Sequence, residues 1–278
     1  MTQVGNPADG WLLIWGRVRV RRYGREGIEP VLARSVTITV GALAGVLRAQ
    51  EIGEPPVLVQ PNLVWTDPEA DRKADAAKWT EFAEVGLVDR RGRLDGDVLD
   101  TLHVLARPSV EYQVVFTTGG RENRVVIAVR GDEAVLAYRE GNAVTLTSLR
   151  RAPVAETLLR QIPDARPAPI GTLNVRVTDL ASLKNREDDP FGDAGSTAQQ
   201  AHALAILAKA RLLGQGELYV GVRDHSGRRQ LSPPIRYQDY KVGRVVIITD
   251  AGYLSVAPAS KQQLLTRLRD AHQALADE

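Results

Sequence analysis

Cysteine is absent from this chain of 278 residues, methionine occurs once, and Phe, Trp and Tyr together make up 5%. Without thiols there is no disulfide framework and no thiolate metal site, so a reducing compartment fits. Lysine is scarce. Most of the 36 basic residues are arginines, set against 34 acidic ones for a net charge of +2. A balance that close does not point to nucleic acid. No apolar run approaches the ~18 residues of a membrane span. The stretch "WLLIWG" (Trp11–Gly16) is followed by its basic residues, whereas in a signal peptide they come first. These absences predict a cytoplasmic protein without membrane insertion.

Catalytic patterns are missing as well. The four histidines, His103, His202, His225 and His272, are too far apart for an HExxH zinc site. "DRRGRLDGD" (Asp89–Asp97) superficially resembles a calcium loop, but Arg90, Arg91 and Arg93 fill its interior and would repel a cation. "TGGREN" (Thr118–Asn123) lies between expected antiparallel strands, so no helix N-terminus cradles a phosphate there. There is no G-x-S-x-G elbow. The reading is therefore a non-enzyme with no catalytic residue, no metal ligand and no cofactor.

What is present is scaffold. Hydrophobic residues make up 44% of the chain, enough for a sizeable core. "SVTITV" (Ser35–Val40) is a β-branched strand, and Leu43 and Leu47 follow it at helical spacing. A helix is expected from about Glu69 to Val85, with Gly86 as its C′ residue. Asp95 caps a second helix whose buried stripe is Val98, Leu102 and Leu105, and Pro108 ends it. "EYQVVFTT", the turn "GGREN", "RVVIAVR" and "AVLAYR" read as an antiparallel meander, with "NAVTLTSL" as a fourth strand. A helix then starts at Pro153.

From Thr172 the order restarts. "TLNVRVTDLASLK" echoes "SVTITVGALAGVL". A helix is expected over Thr197–Leu213, "GELYVGVRD" matches the first meander strand, and Arg244–Pro258 repeats the hairpin. The Arg-Val-Val-Ile at 124 recurs at 244, an offset of 244 − 124 = 120. Ser260 caps the last helix. The predicted fold is α+β: a pseudo-two-fold duplicated architecture with a central antiparallel β-sheet flanked by helical bundles. Its expected parts are an N-terminal extension (1–34), a first half (35–170) and a second half (171–278).

Within "GQGELYVGVRDHSGRRQLSPPIRYQDYKVGRVVIITDAGYLSVAPAS" the spacing of Gly214, Gln215, Arg223, Asp224, Gly227, Arg228, Tyr237, Asp239, Gly243, Arg244 and Pro258 resembles the EspG family of type VII (ESX) secretion. Tyr237 stands where that family usually has Trp. "EPPVL", "GLVDRRGRLDGDV" and "LARPSVEYQV" upstream are similar too. The resemblance implies a cytosolic actinobacterial chaperone that holds the helical tip of the PPE protein in a PE–PPE heterodimer and keeps it soluble for secretion. It also implies contacts from the first meander loop, Gly119, Gly120, Arg121, Glu122 and Asn123. A second set comes from the apolar segment that includes Leu204, Leu207, Arg211 and Leu212. The segment "AQQAHALAILAKARLL" (Ala198–Leu213) is apolar on nearly every side, as a buried or partner-facing helix would be. The alternatives are a module for another helical partner or for a second copy of the chain, and a nucleic-acid binder using Arg17–Arg25.

Overall fold

The computed structural model describes residues 35–53, 56–60, 79–89, 91–150, 153–176, 206–207, 209–224, 227–250 and 252–277. The expected extension 1–34, the start of the Glu69 helix, Leu204, His202 and His225 lie outside them.

β-Branched and alternating segments build one sheet of eleven strands. They are β1 (Val36–Thr39), β2 (Val110–Thr118), β3 (Arg121–Arg130), β4 (Glu133–Glu140), β5 (Ala143–Arg150), β6 (Leu173–Arg176), β7 (Leu212–Arg223), β8 (Arg229–Leu231), β9 (Ile235–Tyr240), β10 (Gly243–Asp250) and β11 (Tyr253–Pro258). Their order is β1-β5-β4-β3-β2-β7-β9-β10-β11-β6, with β8 paired to β7. Reading outward from the β2–β7 seam gives two matching series, β2-β3-β4-β5-β1 and β7-β9-β10-β11-β6. The expected pseudo-two-fold is therefore present in the strand order.

The register repeats as well. In the first half Val135 faces Ser148 and Glu140 faces Ala143. In the second Val245 faces Pro258 and Asp250 faces Tyr253. The offset between these hairpins is 245 − 135 = 110. The 120-residue offset of Arg-Val-Val-Ile is thus not the period of the duplication. Arg124 lies on β3, second from the seam, and Arg244 on β10, third from it. The sequence reading passed over β9, "IRYQDY", and so slipped by one strand.

Helices cover both faces. α1 (Val40–Ala49) starts at Thr39, whose Oγ1 accepts from Ala42 N at 3.1 Å. The Glu81 carboxylate holds the same residue, accepting from Thr39 N at 2.5 Å and from Thr39 Oγ1 at 2.7 Å. Gly86 ends the helical turn before it at φ +75°, with Leu87 N donating to Phe82 O at 2.9 Å, a Schellman-type stop. α2 (Gly96–Ala106) begins at Asp95, whose carboxylate accepts from Asp97 N at 3.1 Å. α1, α2 and this turn bury Leu43, Leu47, Phe82, Leu102 and Leu105 against Ile38, Val135, Ala137 and Val144. On the opposite face α3 (Val154–Leu159) and α4 (Lys261–Ala276) lie side by side near the seam over Val114, Phe116, Ile127, Leu218, Val220 and Tyr237. Ser260 and Gln263 form a capping box at the start of α4. The Tyr112 hydroxyl is hydrogen-bonded to His272 Nδ1 at 2.7 Å, tying the far end of α4 to β2.

A candidate docking end beside a polar furrow

The face opposite α3 and α4 carries two apolar regions. One is the α1–α2 core. The other gathers Leu173, Val245 and Val256 with Leu207 and Ile247 around them. Between the two, the central strands turn polar side chains outward. Register places Gln113 opposite Tyr219, Val115 opposite Glu217 and Thr117 opposite Gln215. Glu217 faces Arg236 and Gln215 faces Gln238 in the next pair. The result is a polar furrow along the seam.

Glu217 organises it. Arg236 Nε donates to Glu217 Oε1 at 2.7 Å, and the Tyr219 hydroxyl donates to Glu217 Oε2. These hydrogen bonds hold the Glu217 carboxyl below its ordinary range. Burial and the same carboxylate push the Tyr219 hydroxyl up to about 12. Gln113 is 3% exposed, and its Nε2 has no hydrogen-bond partner among the described residues. Of these furrow residues the sequence reading named only Gln215, and not as part of a site. Their signal was the polar alternation within "GQGELYVG" and "IRYQDY", which shows only once those segments are known to be adjacent strands.

At one end of the furrow lies the β2–β3 turn. Two residues make it, Gly119 at φ +57° and Gly120 at φ +77°, the primed geometry in which glycine costs least. The expected five-residue loop is thus shorter, because Arg121, Glu122 and Asn123 already pair in β3 with Thr118, Thr117 and Phe116. Arg121 is exposed and bonds to Glu140 at 3.3 Å, and Glu122 accepts from Arg124 Nε at 2.7 Å. Asn123 points into the core at 4% exposure and takes a hydrogen bond from the Tyr138 hydroxyl at 2.9 Å, so it is structural.

Gly214 pairs with Thr118, which sets the start of β7 beside this turn. Leu212 and Leu213 there are 45% and 50% exposed. The expected helix does not reach them. Residues 206, 207 and 209 are helical, Arg211 is an exposed link and β7 begins at Leu212. A bulge between Leu212 and Gly214 lets β7 pair on both sides, and a Cβ at Gly214 would lie 2.5 Å from Thr117 O. Leu207 is half-buried against the second apolar region. Gly119, Gly120, Arg121, Glu122, Arg211 and Leu212 therefore share one end of the sheet, and Leu213 joins them.

The residues quoted for the family resemblance do a different job. Arg244 is fully buried. Its Nε and Nη2 donate to the two Asp239 oxygens at 2.5 and 2.8 Å, and Nη2 also reaches Pro163 O at 2.8 Å. The guanidinium carbon sits 4.5 Å from the Tyr237 ring centroid. Asp224, Gly227 and Arg228 close a turn in which Asp224 Oδ1 accepts from Arg228 N at 2.9 Å. These are scaffold contacts, which accounts for the place of these residues in the signature.

Among known protein families, the chain matches the EspG family over residues 39–270. It belongs to that family. No curated protein matches it. Among solved structures, this EspG-family chain is similar to the Mycobacterium tuberculosis type VII secretion system chaperone EspG5, solved in complex with the PE25–PPE41 dimer. The identity is 19%, the TM-score 0.60, and the match covers 86% of this chain and 95% of that one. The likeness concerns the fold. Among the described residues no group of three His, Asp or Glu could hold a metal ion, and no helix is long and apolar enough to cross a membrane.

Proposed function

We propose that this EspG-family chain is a non-catalytic cytoplasmic chaperone of a type VII secretion system, and that it grips the helical tip of a PE–PPE pair at the docking end. The observation that carries this reading is the convergence of the Gly119–Gly120 turn with exposed Leu212 and Leu213 at the mouth of the polar furrow. The complex in which EspG5 was solved supports the choice of client. Arg121, Glu122, Leu207, Arg211 and Leu212 are the proposed contacts, with Leu204 in the segment outside the described residues. Asn123 acts from behind by holding β3.

An amphipathic helical tip needs an apolar seat with a polar rim. Burying the remaining exposure of two half-exposed leucines is worth about 2 kcal/mol. Micromolar binding needs about 8 kcal/mol. The leucines therefore act as anchors, and the turn backbone and the polar furrow supply the remainder of the contact. The test is co-expression with a PE–PPE pair from the same organism. The pair stays soluble and co-elutes with the chaperone on size exclusion. A pair equally soluble alone, with no co-elution, refutes the proposal.

A further inference from the structure

The charges around the docking end divide into two groups. Arg121 is paired with Glu140, Arg124 with Glu122, Arg236 with Glu217, and Lys261 with Asp164. Arg244 is internally matched to Asp239. Lys209, Arg211 and Lys241 are different. All three are exposed, and none makes a hydrogen bond or ion pair through its side chain to another described residue. They are also neighbours, because Lys241 N donates to Arg211 O at 2.9 Å and Tyr240 pairs with Leu212. Uncompensated positive charge thus collects beside the two exposed leucines.

Like charges brought together in one corner repel, and solvation at three exposed sites keeps that cost small. An incoming surface with carboxylates turns the same corner into an attraction. It speeds encounter and rejects tips of the wrong sign, since juxtaposed like charges oppose binding. We propose that Lys209, Arg211 and Lys241 are specificity-determining residues. They select clients whose helical tip carries carboxylates flanking its apolar end, with Leu212 and Leu213 taking the apolar part. This inference rests on the chaperone reading above and adds the chemistry of the client.

The test uses the full chain and a PE–PPE pair from the same organism, with affinity measured by calorimetry at about 50 and about 500 mM salt, across which exposed charges become screened. The wild type binds, and more weakly at high salt. Triple reversal, Lys209→Glu with Arg211→Glu and Lys241→Glu, weakens binding about tenfold or more at low salt, and the deficit shrinks at high salt. All three sites are exposed, so the fold persists, and circular dichroism checks it. Changing the tip carboxylates of the client to lysines restores binding to the reversed chaperone. Salt-independent affinity, a reversed variant within twofold of wild type, or no rescue overturns the selection by charge while the chaperone reading stands. A wild type that binds no such pair overturns the chaperone reading itself.

Discussion

Replacing Asp239 by alanine should destabilise the fold far more than a surface change, because it strands a guanidinium that has no exposure of its own. The native arrangement engages Arg244 through Nε and Nη2. Two bonds go to Asp239, one goes to Pro163 O, and the Tyr237 ring lies beneath. Nη1 is buried without a hydrogen-bond partner among the described residues, and the other carboxylate that Arg244 acts on, Asp164, is itself exposed and paired with Lys261. Breaking one side of a buried pair costs about 3–5 kcal/mol. Against a total stability of about 5–15 kcal/mol that is a large share. With a urea slope of about 3 kcal/mol/M, the unfolding midpoint falls by about 1–1.7 M. Removing both charges, Asp239→Leu with Arg244→Met, takes away the uncompensated ion. What remains lost is the Pro163 hydrogen bond, about 1 kcal/mol, and the ring contact, about 0.5–2 kcal/mol. The double variant should therefore be more stable than Asp239→Ala, and a urea double-mutant cycle over these positions should show coupling of about 3 kcal/mol or more. Single losses that simply add, or an Asp239→Ala cost under about 1 kcal/mol, would refute the reasoning.

Two other outcomes follow from geometry. Gly243→Ala places a Cβ 2.6 Å from Ala168 N at φ +141°, whereas Gly131→Ala meets open space at φ +61°. The first should lower the melting temperature well beyond the second, which carries only a left-handed backbone cost of about 1 kcal/mol. Arg236→Ala removes the charged donor and leaves the Tyr219 hydroxyl to hold the Glu217 carboxyl low, so its midpoint rises part of the way toward 4.5 in an NMR titration. A carboxylate held low contributes stability above its unfolded pKa and loses it as pH falls through the folded one. Wild type should therefore lose slightly more stability than the variant on acidification through that range. The difference is under about 1 kcal/mol, since Glu217 is 40% exposed and screened.

Local signals were easy to read in the sequence. Asp95, Gly86, Ser260 and Pro108 act through one or two hydrogen bonds or a fixed φ, and each ends or starts the element expected of it. The duplication was readable from element order, yet its period was not. "IRYQDY" has one β-branched residue and follows Pro233 and Pro234, so it reads as loop. Only pairing on both sides makes it a central strand. Leu212 and Leu213 extend an Ala- and Leu-rich run, and helical periodicity absorbs them. Tertiary pairing with Tyr240 and with the β2 end overrides that local preference. The family resemblance named both parts of the docking end, but that they meet was not legible, because residues about ninety positions apart are brought together through register alone.

The seam between β2 and β7 has a mechanical meaning. Nine residue pairs, from Val110–Val222 to Thr118–Gly214, run unbroken across the pseudo-dyad. No hinge separates the halves there, and the apolar layer under α3 and α4 crosses the same line. A guest arriving at the proposed docking end meets a stiff seat in this part of the sheet. The entropy of ordering then falls on the guest, and so does the burden of fitting.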